Sequence, residues 1–336
     1  MGSLPAVLAV DGGNSKTDVV LVAGDGSVLA ATRGPGMPTA DLDGSLRVIG
    51  DLIGLIERQA GQPGRPASRH ISACVANADL PEEEEQLAAA IRAGQWSQTT
   101  EVVNDTFAVL RAGLLDGAPV PWGVGVTCGA GINCVGVGPD GQTTRYLALG
   151  TVSGDWGGGF GLGRAILWRA IRAEDGRGPD TALRAAVAAH FGMRCVHDVA
   201  VGIHQGKIDQ LDLMGMAPVL LAAAAAGDQV AADLVRKQAG EITTMALTAM
   251  RRLDLTGLAT PVVLGGGLLT ARDPLLTSWI EEGITAGAPR ATVSIVDVPP
   301  IAGAALLGLD RVGAGPGAEQ RLRAAYATPV HPRRTG

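Results

Sequence analysis

A glycine-rich turn held between two apolar strands occurs twice in this chain, and that repetition constrains the fold more than any other feature. The first copy reads Val10-Asp11-Gly12-Gly13-Asn14-Ser15-Lys16-Thr17, continues as an apolar run to Val22 and turns again at Asp25-Gly26. The second reads Thr127-Cys128-Gly129-Ala130-Gly131-Ile132-Asn133, continues from Cys134 to Val137 and turns at Asp140-Gly141. Each copy predicts a strand, a glycine-rich hairpin, a returning strand, an Asp-Gly turn and a further strand. Two copies predict two α/β domains on one plan. The length of 336 residues agrees, because it exceeds one typical core.

The rest of the chain fits that plan. Strands are predicted at 6–10, 18–22 and 28–32, and Leu46, Ile49, Leu52, Ile53 and Ile56 have helical spacing within 42–59. A buried strand follows at 71–75. Pro81 with Glu82 to Glu85 opens a helix, the acids sitting in solvent at its positive end. A strand at 101–104 leads through Asp105 into a helix at 106–115, and the Gly/Pro-rich segment 116–122 reads as a hinge. The second half predicts strands at 123–127, 133–138 and 143–148, helices across 161–253, strands at 261–264 and 292–296, and a small-residue helix at 301–309. The expected division is therefore 1–116, 117–312 and a poorly ordered Pro/Gly/Arg-rich tail at 313–336.

Composition narrows the function classes. A net charge of −6 with no sustained Lys/Arg face argues against nucleic acid and against an anionic membrane surface. The apolar run 4–10 ends at Asp11-Gly12-Gly13, so it reads as a first buried strand and not as a signal peptide or membrane span. The four cysteines (Cys74, Cys128, Cys134, Cys195) lie mostly in apolar stretches without secreted-framework spacing, which predicts reduced thiols and a cytoplasmic protein.

The chemistry-bearing residues cluster at the turns. Glycines in the two hairpins let backbone N–H groups approach phosphates from opposite sides, with Ser15 and Thr17 adding hydroxyls. Asp11 at a strand end can hold a magnesium ion through water. A strand, not a helix, follows the first hairpin, which excludes a P-loop and a dinucleotide fingerprint. Asp105 stands at the carboxyl end of a strand, where a carboxylate can take the proton of an attacking hydroxyl; it is equally placed to N-cap the following helix. In Ser153-Gly154-Asp155-Trp156-Gly157-Gly158-Gly159 the glycines suit close approach to a ligand with Asp155 accepting from hydroxyls, or a flexible connector with Trp156 buried. Gly265-Gly266-Gly267 would let a flat ring lie on the backbone. His190, Cys195, His197 and His204 have no zinc spacing and read as scattered residues.

Together these motifs resemble the sugar-kinase, Hsp70 and actin superfamily over nearly all of 5–310. Within it the chain is similar to the N-acetylglucosamine kinase branch of the BadF/BadG/BcrA/BcrD ATPase family. The resemblance implies two ribonuclease-H-like domains closing on a cleft, ATP with Mg2+, and N-acetylglucosamine or a related amino sugar as acceptor. Asp11, Gly12, Gly13 and Ser15 match the first phosphate hairpin, whose turn includes Asn14, Lys16 and Thr17. Gly129 and Gly131, with Ala130 between them, match the second. Asp105 matches the catalytic aspartate, Asp155 a sugar-binding aspartate beside Gly150 and Gly154, and Gly265 to Gly267 the adenosine motif. The segment from Gly227-Asp228 to Glu241 resembles a helix near the adenosine.

Three departures stand out: Met37-Pro38 replaces a Ser/Thr-Asn sugar contact, Gly129-Ala130-Gly131-Ile132 replaces Gly-Thr-Gly-Ser, and Trp156 replaces a glutamate. The family also contains activator ATPases that serve an iron–sulfur cluster shared by a dimer, and a sugar sensor without turnover would keep the same fold. The resemblance leaves a homodimer open.

Overall fold

The computed structural model describes residues 4–37, 41–61, 66–76, 78–114 and 121–327. The chain begins with β1 (Val7–Gly12), β2 (Lys16–Val22), β3 (Val28–Pro35), α1 (Leu42–Gln59), β4 (Ser68–Val75), α2 (Pro81–Ala93), β5 (Ser97–Asn104) and α3 (Asp105–Gly113). It continues with β6 (Gly123–Cys128), β7 (Ile132–Val137), β8 (Thr143–Arg145), α4 (Gly158–Glu174), α5 (Leu183–His190), α6 (Val196–His204), α7 (Ala217–Ala225) and α8 (Gln229–Arg252). Then come β9 (Pro261–Gly265), α9 (Gly267–Thr270), α10 (Pro274–Gly287), β10 (Thr292–Ile295), α11 (Pro300–Arg311) and α12 (Pro316–Ala327).

Two five-stranded sheets carry the two predicted repeats, ordered β3-β2-β1-β4-β5 and, from the same side, β8-β7-β6-β9-β10. In the first, β1 runs antiparallel to β2 and parallel to β4, with Asp11 opposite both Asp18 and Cys74. Every residue of β1 is buried, as an apolar central strand covered on both faces must be. On one face Leu8, Val10, Val19 and Leu21 pack with Ile49, Ile53 and Ile56 of α1; on the other Val7, Ala9, Val20 and Val22 pack with Ala304, Ala305 and Leu306 of α11. Asp41 starts α1 by accepting from Gly44 N at 2.9 Å.

The division of the chain differs from the expected one. One compact unit comprises 1–125, 139–141 and 296–336, the other 126–138 and 142–295. The residues from 296 onward belong with the first unit because α11 is built to lie flat against it. A Cβ on Gly303 would stand 1.9 Å from Ala108 O, and one on Gly308 would stand 2.4 Å from Val7 Cγ1. Small residues there allow backbone-close packing that larger ones would block.

The tail at 313–336 is also corrected: 316–327 is α12, with Ala318 and Leu322 buried. Paired charges hold it. Buried Arg111 donates to Asp310 Oδ2 and Glu319 Oε1, both at 2.7 Å, and Arg323 donates to Ala112 O at 2.7 Å and Leu114 O at 2.6 Å. A sequence rich in Gly, Pro and Arg hid a helix whose Arg323 satisfies carbonyls at the end of α3. The predicted hinge lies largely at 115–120, outside the described residues. The third strand of the second sheet ends at Arg145, shorter than expected, and Tyr146 beyond it donates to Met245 O at 2.9 Å.

Candidate active site

In the first unit, strand alternation decides which predicted residues share a face. Asp11 and Asp18 are register partners on the α11 face of the sheet, whereas Gly12 and Thr17 are partners on the α1 face. Thr17 is fully buried and its hydroxyl has no hydrogen-bond partner, so it is not presented beside Asp11 as the sequence suggested. Asn14, Ser15 and Lys16 are exposed at the hairpin tip. Gly13 N donates to Lys16 O at 2.9 Å and Met37 N to Gly13 O at 3.0 Å, which straps the 36–37 segment over the turn. Met37 is itself buried, and a Cβ on Gly12 would stand 2.4 Å from its sulfur. Pro38 lies outside the described residues.

Charge surrounds Asp11. Burial, then the fields of Asp105 and Asp18, push its carboxyl up to about 7 against opposition from Lys16 and Arg33. Arg33 grips Asp18 with two bonds, Nε at 2.5 Å and an Nη at 3.0 Å, and Lys16 adds a third at 3.2 Å. Asp105 is lifted to about 6 by burial, partly offset by Thr106.

The capping alternative for Asp105 does not hold. Asn104 is the N-cap of α3, its Oδ1 accepting from Thr106 N at 2.9 Å, and Asp105 is the first helical residue. Asn104 is itself fixed: its Nδ2 donates to Asp79 Oδ1 and its backbone N to Glu84 Oε1, both at 2.8 Å. Glu83 Oε2 in turn accepts from Asp79 N at 2.9 Å and Leu80 N at 3.0 Å. The acidic run at the start of α2 is therefore not merely solvated. Glu83 caps its own helix while Glu84 reaches across to the strand end that carries Asp105. Sequence reasoning missed Asp79, Glu84 and Asn104; the Asn-Asp pair after an apolar strand was the available signal.

In the second unit, Gly129 N donates to Gly131 O at 2.9 Å, and a Cβ at either glycine would meet nothing within 4 Å. These two glycines leave room for a ligand instead of satisfying the protein's own packing. Their neighbours do the opposite. Gly158, at φ +66°, would place a Cβ 2.4 Å from the Gly131 carbonyl carbon, and Gly266, at φ +88°, would place one 2.5 Å from Cys128 O. Much of the glycine density at 157–159 and 265–267 thus answers to close packing against the strand and turn of this hairpin. Gly265 is buried within β9, and Gly267 alone of that trio has open space at Cβ on a non-strand residue.

Gly150 (φ +66°) and Gly154 (φ +86°) are left-handed and open, and they shape a single turn that presents Asp155. Asp155 N donates to Gly150 O at 3.0 Å, and Ser153 Oγ lies 2.5 Å from Asp155 Oδ2. Trp156 is half-buried, with Lys237 Nζ 4.0 Å from its ring centroid. The segment after Gly227 is α8, N-capped by Asp228, whose Oδ1 accepts from Ala231 N at 2.8 Å.

Among the described residues, no group of three or more His, Cys, Asp or Glu side chains is arranged to hold a metal alone. No single described helix is long and apolar enough to cross a membrane.

A family model, the BadF/BadG/BcrA/BcrD ATPase family, matches residues 8–308. The chain belongs to that family. Within reach of it are an N-acetylmuramic acid/N-acetylglucosamine kinase of Clostridium acetobutylicum, 23% identical over 78% of this chain and 85% of the relative. An N-acetyl-D-glucosamine kinase of Dictyostelium discoideum is 23% identical over 90% of this chain and 97% of the relative. The fold is similar to that of a candidate N-acetylglucosamine kinase from Chromobacterium violaceum, at TM-score 0.70 and 24% identity over 92% of this chain and 100% of that one. It is also similar to the ROK hexokinase of Thermus thermophilus, at TM-score 0.59 and 17% identity over 92% and 99%. The two five-stranded sheets are thus the two actin-like halves expected of this family. Its α12 lies beyond the matched residues.

Proposed function

We propose that the chain is a cytoplasmic ATP-dependent kinase that transfers a γ-phosphoryl group to a hydroxyl of N-acetylglucosamine or a related amino sugar. The observation that carries this reading is Asp105. It directly follows the parallel strand β5 in a protein of this ATPase family, is released from capping by Asn104, and has a carboxyl lifted to about 6. A carboxylate with that affinity is ionised at neutral pH yet basic enough to take a proton.

The first unit supplies charge. Asp105 accepts the hydroxyl proton as the sugar oxygen bonds to the γ-phosphorus and the bond to the ADP oxygen breaks. Asp11 is the residue to hold magnesium: a buried carboxyl disfavoured by two neighbouring acids gains from a divalent cation. When bound, the ion neutralises charge building on the phosphoryl oxygens. The second unit supplies backbone. The empty space at Gly129 and Gly131 suits phosphate oxygens approaching the backbone, Gly267 suits the nucleoside, and Asp155 accepts from sugar hydroxyls.

Three of the four cysteines do not suit the iron–sulfur activator. Cys74, Cys128 and Cys134 are fully buried, and burial raises all three thiols, Cys128 to about 12. Cluster ligation needs accessible thiolates.

The test is coupled ADP release with Mg-ATP against hexoses, 2-amino sugars and N-acetyl amino sugars, with a sugar-free control. Release that depends on an N-acetyl amino sugar is expected. Equal release with and without sugar would replace the kinase by an ATPase activator, and no release from folded protein would leave a sensor.

A further inference from the structure

The short link between Asp155 and the second hairpin is gripped from two sides, both within the second unit. On one side stands the hairpin. Gly159 N donates to Gly129 O at 2.8 Å and Phe160 N to Ala130 O at 2.9 Å, while Gly158 sits so close to Gly131 that a Cβ would be 2.4 Å from its carbonyl carbon. On the other side stands α8, through two consecutive residues. Lys237 Nζ lies 4.0 Å from the Trp156 ring centroid, and Gln238 Oε1 accepts from Gly158 N at 3.1 Å. A Cβ on Gly157 would stand 2.3 Å from that same Oε1.

Gln238 is an odd choice for stability alone. It is 1% exposed, it satisfies one backbone donor, and its own Nε2 has no hydrogen-bond partner. A buried amide with an unmet donor is unfavourable unless its other end does something an apolar side chain cannot. What its oxygen does is fix Gly158, the residue that touches the hairpin, three positions from Asp155.

The geometry points to Gln238 as a positioning residue that makes the Asp155 loop and the second hairpin shift as one body, so that acceptor binding and nucleotide binding are coupled. This rests on the reading that Asp155 meets the sugar and the hairpin meets the nucleotide. Any displacement of Gly131 presses on Gly158, and the link has no side chains at 157–159 with which to absorb it. Gln238 and the Lys237–Trp156 contact remove the remaining freedom, so the motion passes to Asp155.

The experiment measures the Kd of N-acetylglucosamine by calorimetry on the full chain, with and without a non-hydrolysable ATP analogue and Mg2+. It compares wild type with Gln238→Met, Gln238→Glu and Lys237→Ala, and thermal midpoints are recorded for each. In wild type the analogue should change the sugar Kd by about 10-fold, within the usual range for coupled sites. Gln238→Met keeps length but replaces the carbonyl oxygen with a weakly accepting thioether, and should leave less than about 2-fold coupling. Gln238→Glu retains a carbonyl oxygen in its protonated form and should restore most of it. Wild-type coupling in Gln238→Met overturns the inference, as does a wild type that binds both ligands independently. Should Gln238→Met not fold, the exposed Lys237→Ala variant decides: partial loss of coupling supports the inference and full coupling overturns it. A wild type that binds neither ligand overturns the kinase reading itself.

Discussion

The two glycine-rich hairpins share a place in their sheets but not a physical character. At the first, glycine is demanded by the protein's own packing: Gly12 makes room for the Met37 sulfur, and Gly36 would place a Cβ 2.1 Å from Asn14 O. Around it gather Asp11, Asp18, Asp105, Lys16 and Arg33. At the second, Gly129 and Gly131 have empty space where a Cβ would be, and the packing demands fall instead on Gly158 and Gly266. One half of the repeat has specialised in charge, the other in bare backbone. Glycine count alone therefore says little about a phosphate site; what a Cβ would meet says much more.

The largest expected effect breaks the charged half. Asp105→Asn should leave α3 intact, because Asn104 already caps it, and should lower kcat by about 10²–10⁴-fold, the scale of a general base. Unchanged unfolding with that loss is the expected pair of measurements, and near-normal turnover would remove Asp105 from the role. In the same enzyme kcat/KM should rise with pH through about 6, since the base works only when ionised. A profile flat from pH 5 to 8 would show that proton transfer does not limit the reaction.

The next contrast sharpens the bare half. Gly158→Ala meets the Gly131 backbone at 2.4 Å and a left-handed φ of +66°, so it should lose about 1–2 kcal/mol from conformation alone and weaken ATP binding as the hairpin is pushed aside. Gly131→Ala has open space and no positive φ, so thermal stability should stay within about 0.5 kcal/mol while ATP affinity falls. The pair separates packing glycines from ligand glycines. Equal ATP affinity in wild type and Gly131→Ala would show that the open space serves no phosphate.

Most of this arrangement was legible in the sequence because strands and tight turns leave strong local patterns: the repeated frame, the apolar spacing of α1 and the position of Asp105 all follow from periodicity. What escaped was long-range. Glu84 contacts Asn104 across 20 residues, and Arg111 meets Glu319 across 208. The latter turned an apparent loose tail into α12, since no window of local sequence shows that Arg323 will find the carbonyls of Ala112 and Leu114. Thr17 was misplaced for a simpler reason. Its residue type suits a phosphate, but its parity along β2 sends it to the face opposite Asp11. Trp156 stood out in the glycine-rich loop and Gln238 lies in the segment likened to a helix near the adenosine, but nothing local joined the two, because their contacts depend on α8 returning to the glycine link.

The smallest expected effect tests whether the charge gathered at the first hairpin is costly to the fold. Asp11 has a carboxyl near 7, against an ordinary value near 4, with Asp18 and Asp105 raising it and Lys16 and Arg33 lowering it. Between about pH 4 and pH 7 the folded state keeps a proton that the unfolded chain has released, so this group makes stability fall as pH rises across that window. Asp11→Asn removes the ionisable group and should be the more stable protein at pH 8, where each kcal/mol appears as about 2–4 °C in Tm. At pH 5 the gap should shrink, because wild-type Asp11 is then largely protonated and electrically equivalent to the amide. Thermal unfolding at both pH values, without nucleotide or divalent cation, measures the difference. Gly131→Ala is the internal control, since burial holds the thiols of Cys128 and Cys134 in that hairpin protonated across this range and its small Tm difference should not vary with pH. A gap for Asp11→Asn that is constant between pH 5 and 8 would assign it to packing and remove charge repulsion from the contrast between the hairpins. A gap that opens with pH means the fold holds Asp11 ionised at a cost in stability, which a bound cation is suited to offset.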